Sequence, residues 1–304
     1  MKAVVTGGAG FIGSHLVDEL VGKGAEVHIV DNMSSGHFDN VHPFVTFHPV
    51  DIRSDEARKI VLHIKPDFIF HLAAQTNVHQ SVLQPTYDAD VNIVGTLNVL
   101  QASQEACVKK VIFASSSAVY GNSLKELISE EDVVAPVSYY GLSKLSAESY
   151  IRLFHQLYGL QYTILRYGNV YGPRQAADGE GAVVSAFVER IKQGLPVRIH
   201  GDGNQTRDFI YVKDVVRANI AAVSRGTGET IHVSTAQRTP VNHLVKMLEV
   251  ISGSKISTVR VAERNGDIKH SCLDNTRARE LLLWHPRIDI FRGLTETCNF
   301  SRSK

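Results

Sequence analysis

Lys2-Ala-Val-Val-Thr-Gly-Gly-Ala-Gly-Phe-Ile-Gly13 runs from an apolar, β-branched segment through a glycine-rich turn into a helical pattern. Three glycines at this spacing have separate tasks. Gly7 permits a tight turn, Gly10 lets the backbone approach a pyrophosphate, and Gly13 lets the helix pack closely on the strand. The amides that open the helix, around Phe11 and Ile12, then face the phosphates together with the helix dipole. A glycine-rich turn alone is weak evidence, because glycines also mark plain turns. Its place between a strand and a helix is the context that gives it meaning.

Working outward, short β-branched runs alternate with helical patterns through the first half of the chain. Strands are expected at 2–5, 26–30, 45–50, 67–72, 110–114 and 162–166, and helices at 11–23, 54–64, 91–106 and 140–158. This alternation means βαβ units, hence an α/β fold with a doubly wound, Rossmann-like parallel sheet and ligands at the carboxyl ends of its strands. After Tyr167 the pattern changes, with turn residues near 172–173 and 177–181. The expected division is a dinucleotide-binding domain, 1–171, to which a segment of about 208–236 returns, and a smaller C-terminal lobe, 172–304, that binds substrate. The stretch after Trp284 is only weakly patterned.

The second strand ends at Asp31-Asn32, some 18 residues beyond Gly13. An acid there accepts hydrogen bonds from an adenosine ribose and repels a 2′-phosphate, which favours NAD over NADP. Asp51-Ile52, at the end of the third strand, is placed to meet adenine. Ser115, Ser116 and Ser117 close the fifth strand on the same carboxyl edge. Tyr140 and Lys144 form the only Tyr-x-x-x-Lys in the chain, and four residues apart they share one helix face. About half a match of this kind is expected by chance, so context has to carry it. The chemistry supplies that context. A phenol with its ordinary pKa of about 10 is a poor base at neutral pH, and a neighbouring ammonium favours its phenolate. A serine hydroxyl can hold the reacting oxygen while hydride moves to a nicotinamide.

These motifs together resemble the extended short-chain dehydrogenase/reductase family, and within it the NAD-dependent epimerases and dehydratases of nucleotide sugars. The resemblance spans nearly the whole chain: TGGAGFIG (6–13), VDN (30–32), HLAAQ (71–75), NIVGT (92–96), ASSSAVYG (114–121), YYGLSK (139–144), LRYGNVYGPRQ (165–175), GDGNQTRDFIYVKDVV (201–216) and RNGDIKHS (264–271). It implies that Leu72, Ala73, Ala74 and Asn92 hold the cofactor, with Ser115 and Tyr167 beside it. The catalytic hydroxyl falls on Ser116, the base on Tyr140 and its electrostatic partner on Lys144. Asn169, Arg207, Arg264 and Asp267 are expected to grip a uridine diphosphate, for which the planar guanidinium fork is suited.

Two departures from the family pattern stand out. Tyr139 takes the place of the usual proline before the base. Ser271 takes the place of an aromatic that closes the sugar pocket in some members.

The implied activity is 4-epimerisation of a UDP-hexose through a 4-keto sugar, with NAD regenerated in each turnover. A UDP-glucuronate 4-epimerase would use the same chemistry. Dehydratases and uronate decarboxylases carry acidic residues just after the catalytic hydroxyl, where this chain has Ser117 and Ala118. A non-catalytic NAD-binding scaffold would not need the Ser-Tyr-Lys trio.

Composition fits an enzyme of this kind. With a net charge of +1 and no basic run, a nucleic-acid partner is not expected. No apolar stretch approaches the ~18 residues of a membrane span, and the N-terminus shows no signal-peptide pattern. Cys107, Cys272 and Cys298 have no paired spacing, so neither a disulfide framework nor a metal site is expected, and the expected compartment is the cytoplasm. Ile93, Val94, Leu97 and Leu100 on one helix, and Leu142, Tyr150, Ile151, Phe154 and Tyr158 on another, exceed what one sheet face can cover. A homodimer through these helices is the expected assembly.

Overall fold

The structure, a computed structural model, describes residues 1–177, 182–262 and 269–303, and the side chains of all of these but the last. Its centre is a seven-stranded sheet of β1 (Lys2–Thr6), β2 (Glu26–Val30), β3 (Thr46–His48), β4 (Phe68–His71), β5 (Lys110–Ser116), β6 (Tyr162–Tyr167) and β7 (Glu229–Val233). The strands lie in the order β7-β6-β5-β4-β1-β2-β3, and every pairing is parallel. The order reverses between β1 and β4, which opens a crevice at their carboxyl ends.

Alternation along each strand feeds two cores. Ala3 and Val5 of β1 face one side with Leu16 and Leu20 of α1 (Phe11–Gly22). Val4 faces the other, with Val61 of α2 (Asp55–Ile64), Leu100 of α3 (Gly95–Glu105) and Ile151 of α4 (Tyr139–Tyr158). α5 (Val212–Ala222) covers the α1 side through Val215 and Ala218. Caps fix where these helices start. Ser54 accepts from the Ala57 amide at 3.2 Å, and Ser138 accepts from the Gly141 amide at 3.1 Å. Gly159, at φ 73°, ends α4 in the left-handed conformation.

The helix expected at 91–106 is interrupted. Asp90–Val94 forms a π turn, and only from Gly95 does the chain run as a regular α-helix. Of the apolar residues on α3 and α4, Leu100 and Ile151 are fully buried against the sheet. Val94, Leu142, Tyr150, Leu157 and Tyr158 are exposed.

Beyond Tyr171, a third core gathers Phe187, Ile199, Tyr211, Leu244, Leu248 and Leu294. Helices Val183–Lys192, Val241–Ser252 and Ile290–Ser303 build it with the parallel strand pair Val197–His200 and Thr258–Val261. Trp284 turns back from this part of the chain into the core on the α1 side. No helix among the described residues is long and apolar enough to cross a membrane.

Candidate active site

The glycine turn is built as its spacing demands. Gly7 has φ 71°, and a Cβ on it would stand 2.7 Å from the Ala73 amide nitrogen, so the turn lies directly against the loop after β4. A Cβ on Gly13 would come within 2.0 Å of the Gly7 carbonyl oxygen. On Gly10 it would meet nothing but that same oxygen, at 3.2 Å, and would occupy the open space over the turn. Gly10 is also the N-cap residue of α1, and no side chain caps that end. The amides of Phe11, Ile12 and Gly13 thus open α1 as an anion cradle. At the end of β2, buried Asp31 accepts from the Ala9 amide at 3.0 Å and from Met33 at 2.9 Å. Burial raises its carboxyl above the usual range, against the pull of those two amides. Cradle and carboxylate together fit the diphosphate and the free 2′-hydroxyl of NAD.

The outer end of the crevice is pinned by charge. Arg53 binds Asp51 at 2.7 Å and also pairs with Asp90, and Asn32 donates to Asp51 at 2.8 Å. Arg53 holds the Asp51 carboxyl down at about 2. Ile52 beside it is buried, and a Cβ on Gly95 would stand 2.7 Å from its Cδ1.

Behind the turn runs a hydrogen-bond chain whose direction can be worked out. Thr96 donates to the Asn92 carbonyl at 2.6 Å, so its oxygen is left to accept from His71 Nε2 at 3.0 Å. His71 Nδ1 then accepts from the Thr6 hydroxyl at 2.7 Å, and Thr6 Oγ1 accepts from the Ala73 amide at 3.2 Å. His71 is 1% exposed, and burial pulls its pKa down to about 3, so it is neutral. The Leu72 amide is also committed, to the Thr6 carbonyl at 3.2 Å. Of the three residues expected to offer backbone to a cofactor, Leu72 and Ala73 therefore have their amides engaged with β1, while Ala74 makes no such bond to it. Asn92, expected to touch the cofactor, is buried behind this loop. Its Oδ1 accepts from the Gln75 amide at 2.9 Å, and its Nδ2 reaches the Gln75 carbonyl at 2.9 Å and Ser143 at 3.0 Å.

At the end of β5, neighbouring serines part company because a strand alternates its faces. Ser115 is buried and donates to Glu148 Oε1 at 2.6 Å. Ser116 is only partly buried and accepts from the Ala118 amide at 3.1 Å, which starts the turn Ser117–Tyr120. A Cβ on Gly141 would stand 2.6 Å from the Ala118 carbonyl oxygen, so the first turn of α4 rests on that same turn. This contact brings the start of α4, with Tyr140, up to the strand end that carries Ser116.

One helical turn further on, Lys144 is 3% exposed. Its ammonium donates to the Ala114 carbonyl at 2.8 Å and lies 4.7 Å from the centre of the Phe113 ring. Burial lowers its pKa to about 8, opposed by the charges of Asp88 and Glu148. A partly exposed phenol, a buried ammonium and a hydroxyl at one strand end are a set suited to proton transfer.

Several anchors had no sequence signal. Glu148 accepts from Arg166 through Nε at 2.9 Å and Nη2 at 2.6 Å, which ties α4 to β6. Arg166 continues to Tyr120 at 2.5 Å, and the Tyr120 hydroxyl to His232 Nε2 at 2.6 Å. Asp208 is wholly buried and accepts from Thr235 N at 2.8 Å, Thr235 Oγ1 at 2.6 Å, Ala236 N at 3.0 Å and Leu273 N at 3.3 Å. It thereby fixes the segments that flank Arg207 and Ser271. Its neighbour Arg207, quoted in the same motif, was the only hint.

On the substrate side, Asn169 follows β6, and its amide donates to the Asp208 carbonyl at 2.7 Å. Tyr167 is buried, and its hydroxyl shares hydrogen bonds of 3.0 and 2.8 Å with the Asn219 side chain, in the core and not in the crevice. Arg207 is half-buried, with Nη1 3.0 Å from the Thr206 carbonyl. Ser271 is buried beside it, its amide 3.3 Å from that same carbonyl. Arg264 and Asp267 lie outside the described residues.

The model of the NAD dependent epimerase/dehydratase family matches residues 3–234. A UDP-glucose 4-epimerase of Mycolicibacterium smegmatis is 39% identical over 100% of this chain and 99% of its own. The crystal structure of a UDP-glucose 4-epimerase with UDP-glucose from Thermotoga maritima superposes with a TM-score of 0.98 at 43% identity, covering 100% of this chain and 99% of the other. A UDP-N-acetylglucosamine 4-epimerase from Methanobrevibacter ruminantium, in complex with UDP-N-acetylmuramic acid, does so at 0.94 and 38% identity, covering 99% and 98%.

Proposed function

The chain belongs to the NAD dependent epimerase/dehydratase family, and on that premise we propose that it interconverts the C4 epimers of a UDP-hexose. UDP-glucose and UDP-galactose are the first pair, and UDP-GlcNAc and UDP-GalNAc the second. The observation that carries the reading is the buried Lys144 ammonium held against β5 one helical turn from Tyr140, at the strand end that bears Ser116. Bound NAD supplies a hydride acceptor that gives the hydride back within one turnover, so the sugar passes through a 4-keto form with no net oxidation.

The protein handles the proton and the position. Tyr140 takes the proton of the 4-hydroxyl and returns it to the other epimer. Lys144 favours the phenolate form of Tyr140. Ser116 holds the reacting oxygen. Asn169 and Arg207, with Arg264 and Asp267, keep the uridine diphosphate anchored while the sugar turns over. Gly7, Gly10, Gly13 and Asp31 hold NAD. Residues 172–304, apart from a segment of about 208–236 that returns to the NAD-binding domain, form the UDP-sugar lobe in this reading, and the protein works in the cytoplasm as a homodimer.

The test is incubation with a panel of UDP-sugars, resolving the C4 epimers, for wild type and Tyr140→Phe. The variant should keep NAD and lose about 10²–10⁴-fold in rate, the usual worth of a general base. A variant with more than about a tenth of the wild-type rate would remove Tyr140 from the mechanism.

A further inference from the structure

Lys144 is a buried cation, and two carboxylates act on it, Asp88 and Glu148. Their situations differ. Glu148 is already matched by charge, since Arg166 binds both its oxygens and Arg152 donates to Oε2 at 2.8 Å. Asp88, on the short helix Pro85–Ala89, is 1% exposed and accepts only from neutral amides. Gln75 Nε2 lies 2.8 Å and Asn92 Nδ2 3.2 Å from its Oδ1, and Oδ2 has no hydrogen-bond partner among the described residues. A buried carboxylate in that state is costly unless a cation nearby repays it. Among the described residues, the other groups set against Lys144 are the Phe113 ring, the Ala114 carbonyl and neutral His71 on β4, and Tyr140, one turn back on α4, is the acid that Lys144 serves.

We propose that Asp88 is a positioning residue for this site. It is an unmatched carboxylate that keeps Lys144 charged beside Tyr140 and, through Gln75 and Asn92, ties that charge to the loop after β4. Asn92 links the same network to Ser143, the residue before Lys144. Any movement of the loop is therefore felt at the base of the Tyr-Lys pair. The proposal rests on the reading of Tyr140 and Lys144 given above.

Asp88→Asn keeps the shape and removes the charge. The direct measurement is the titration of Lys144 by NMR, in protein labelled with ¹³C at the lysine ε-carbons, with the resonance assigned by its loss in Lys144→Met. The Lys144 titration should move to lower pH by about one unit, a tenfold loss of proton affinity. kcat should fall most steeply at high pH with KM little changed, and Asp88→Glu should recover part of both. An Asp88→Asn protein whose Lys144 titrates as in wild type would overturn the proposal. Asp88→Ser replaces it if the amide variant does not fold. If neither neutral variant folds while Asp88→Glu does, the carboxylate serves the fold alone and the proposal also fails. Full epimerisation by Tyr140→Phe would instead overturn the reading of the site, whereas the Lys144 titration is read without substrate and judges Asp88 by itself.

Discussion

Acidification should strip stability from this protein through its buried histidines, and His71 is the place to see it. His71 and His232 are buried neutral, with pKa values lowered to about 3 and about 4. The unfolded chain takes up a proton at each near the ordinary histidine value of about 6.5, and the folded chain refuses it. Stability from these groups is therefore complete above about pH 6.5 and drains as pH falls toward the folded values, at about 1.4 kcal/mol per pH unit for each. Between pH 6.5 and pH 5 that comes to about 2 kcal/mol for His71 and a similar amount for His232. Against a typical total of about 5–15 kcal/mol this is a large loss.

The geometry says why His71 cannot accept the proton. Its Nδ1 is the acceptor for Thr6, and a second N–H there would face the Thr6 hydroxyl that already serves the Ala73 amide. The assay is urea unfolding of wild type and His71→Gln at a series of pH values from about 7.5 to about 5. Whatever its absolute stability, the variant should show a pH slope shallower by one proton, about 1.4 kcal/mol per unit. His15 and His48 are displaced in the same direction, while Asp31, Glu130 and Asp208 are raised and work in the opposite sense. All of these cancel in the comparison. Parallel slopes for the two proteins would refute the reasoning.

Asp31→Ala should weaken NAD more than NADP, because the carboxylate that favours a free 2′-hydroxyl is lost; equal loss in calorimetry would leave Asp31 a loop anchor only. Ser271→Tyr should reject the N-acetylated sugars selectively and spare the plain hexoses, since extra volume is costly in a closed pocket. Equal loss on both pairs would remove Ser271 as the gate. Light scattering at micromolar protein should report a dimer, and Leu142→Glu, on the exposed face of α4, should shift it toward monomer. A wild-type monomer would end that expectation.

Elements that carry their own punctuation were legible in the sequence. The span 26–30 was read to the residue, and Ser54 and Ser138 mark starts that patterning placed within a residue or so. The C-terminal helix Ile290–Ser303 was not, because among its described side chains only Gly293, Leu294, Thr297 and Cys298 are buried and so narrow a stripe has little contrast against polar neighbours. The candidate site divides in the same way. The glycines of its turn lie within seven residues of one another, and Tyr140 and Lys144 within five, so each motif can be read locally. Glu148 with Arg166, and Asp208 with Thr235 and Leu273, are joined only by the fold, with partners 18, 27 and 65 residues away. The choice of Ser116 over Ser115 came from family likeness, although strand alternation alone gives a reason for their difference. The bond from the Tyr167 hydroxyl to Asn219, 52 residues on, likewise has no local signal.

The π turn at Asp90–Val94 carries one residue more than a regular helix would use for the same advance. Each residue of an α-helix sweeps about 100° around the axis, so that surplus sets the angular phase of everything before it relative to α3. Upstream stand Tyr87, whose ring lies 5.6 Å from the Arg53 guanidinium, and Asp88, which reaches Gln75 and Asn92. Downstream stands Thr96, fixed to His71. Removing Ile93 would leave a smoother helix and turn Asp88 by more than a quarter of a revolution relative to α3, away from its partner Gln75. The irregularity works as a gear tooth: it meshes two halves of one helix that face different parts of the crevice, and no side-chain substitution can stand in for it.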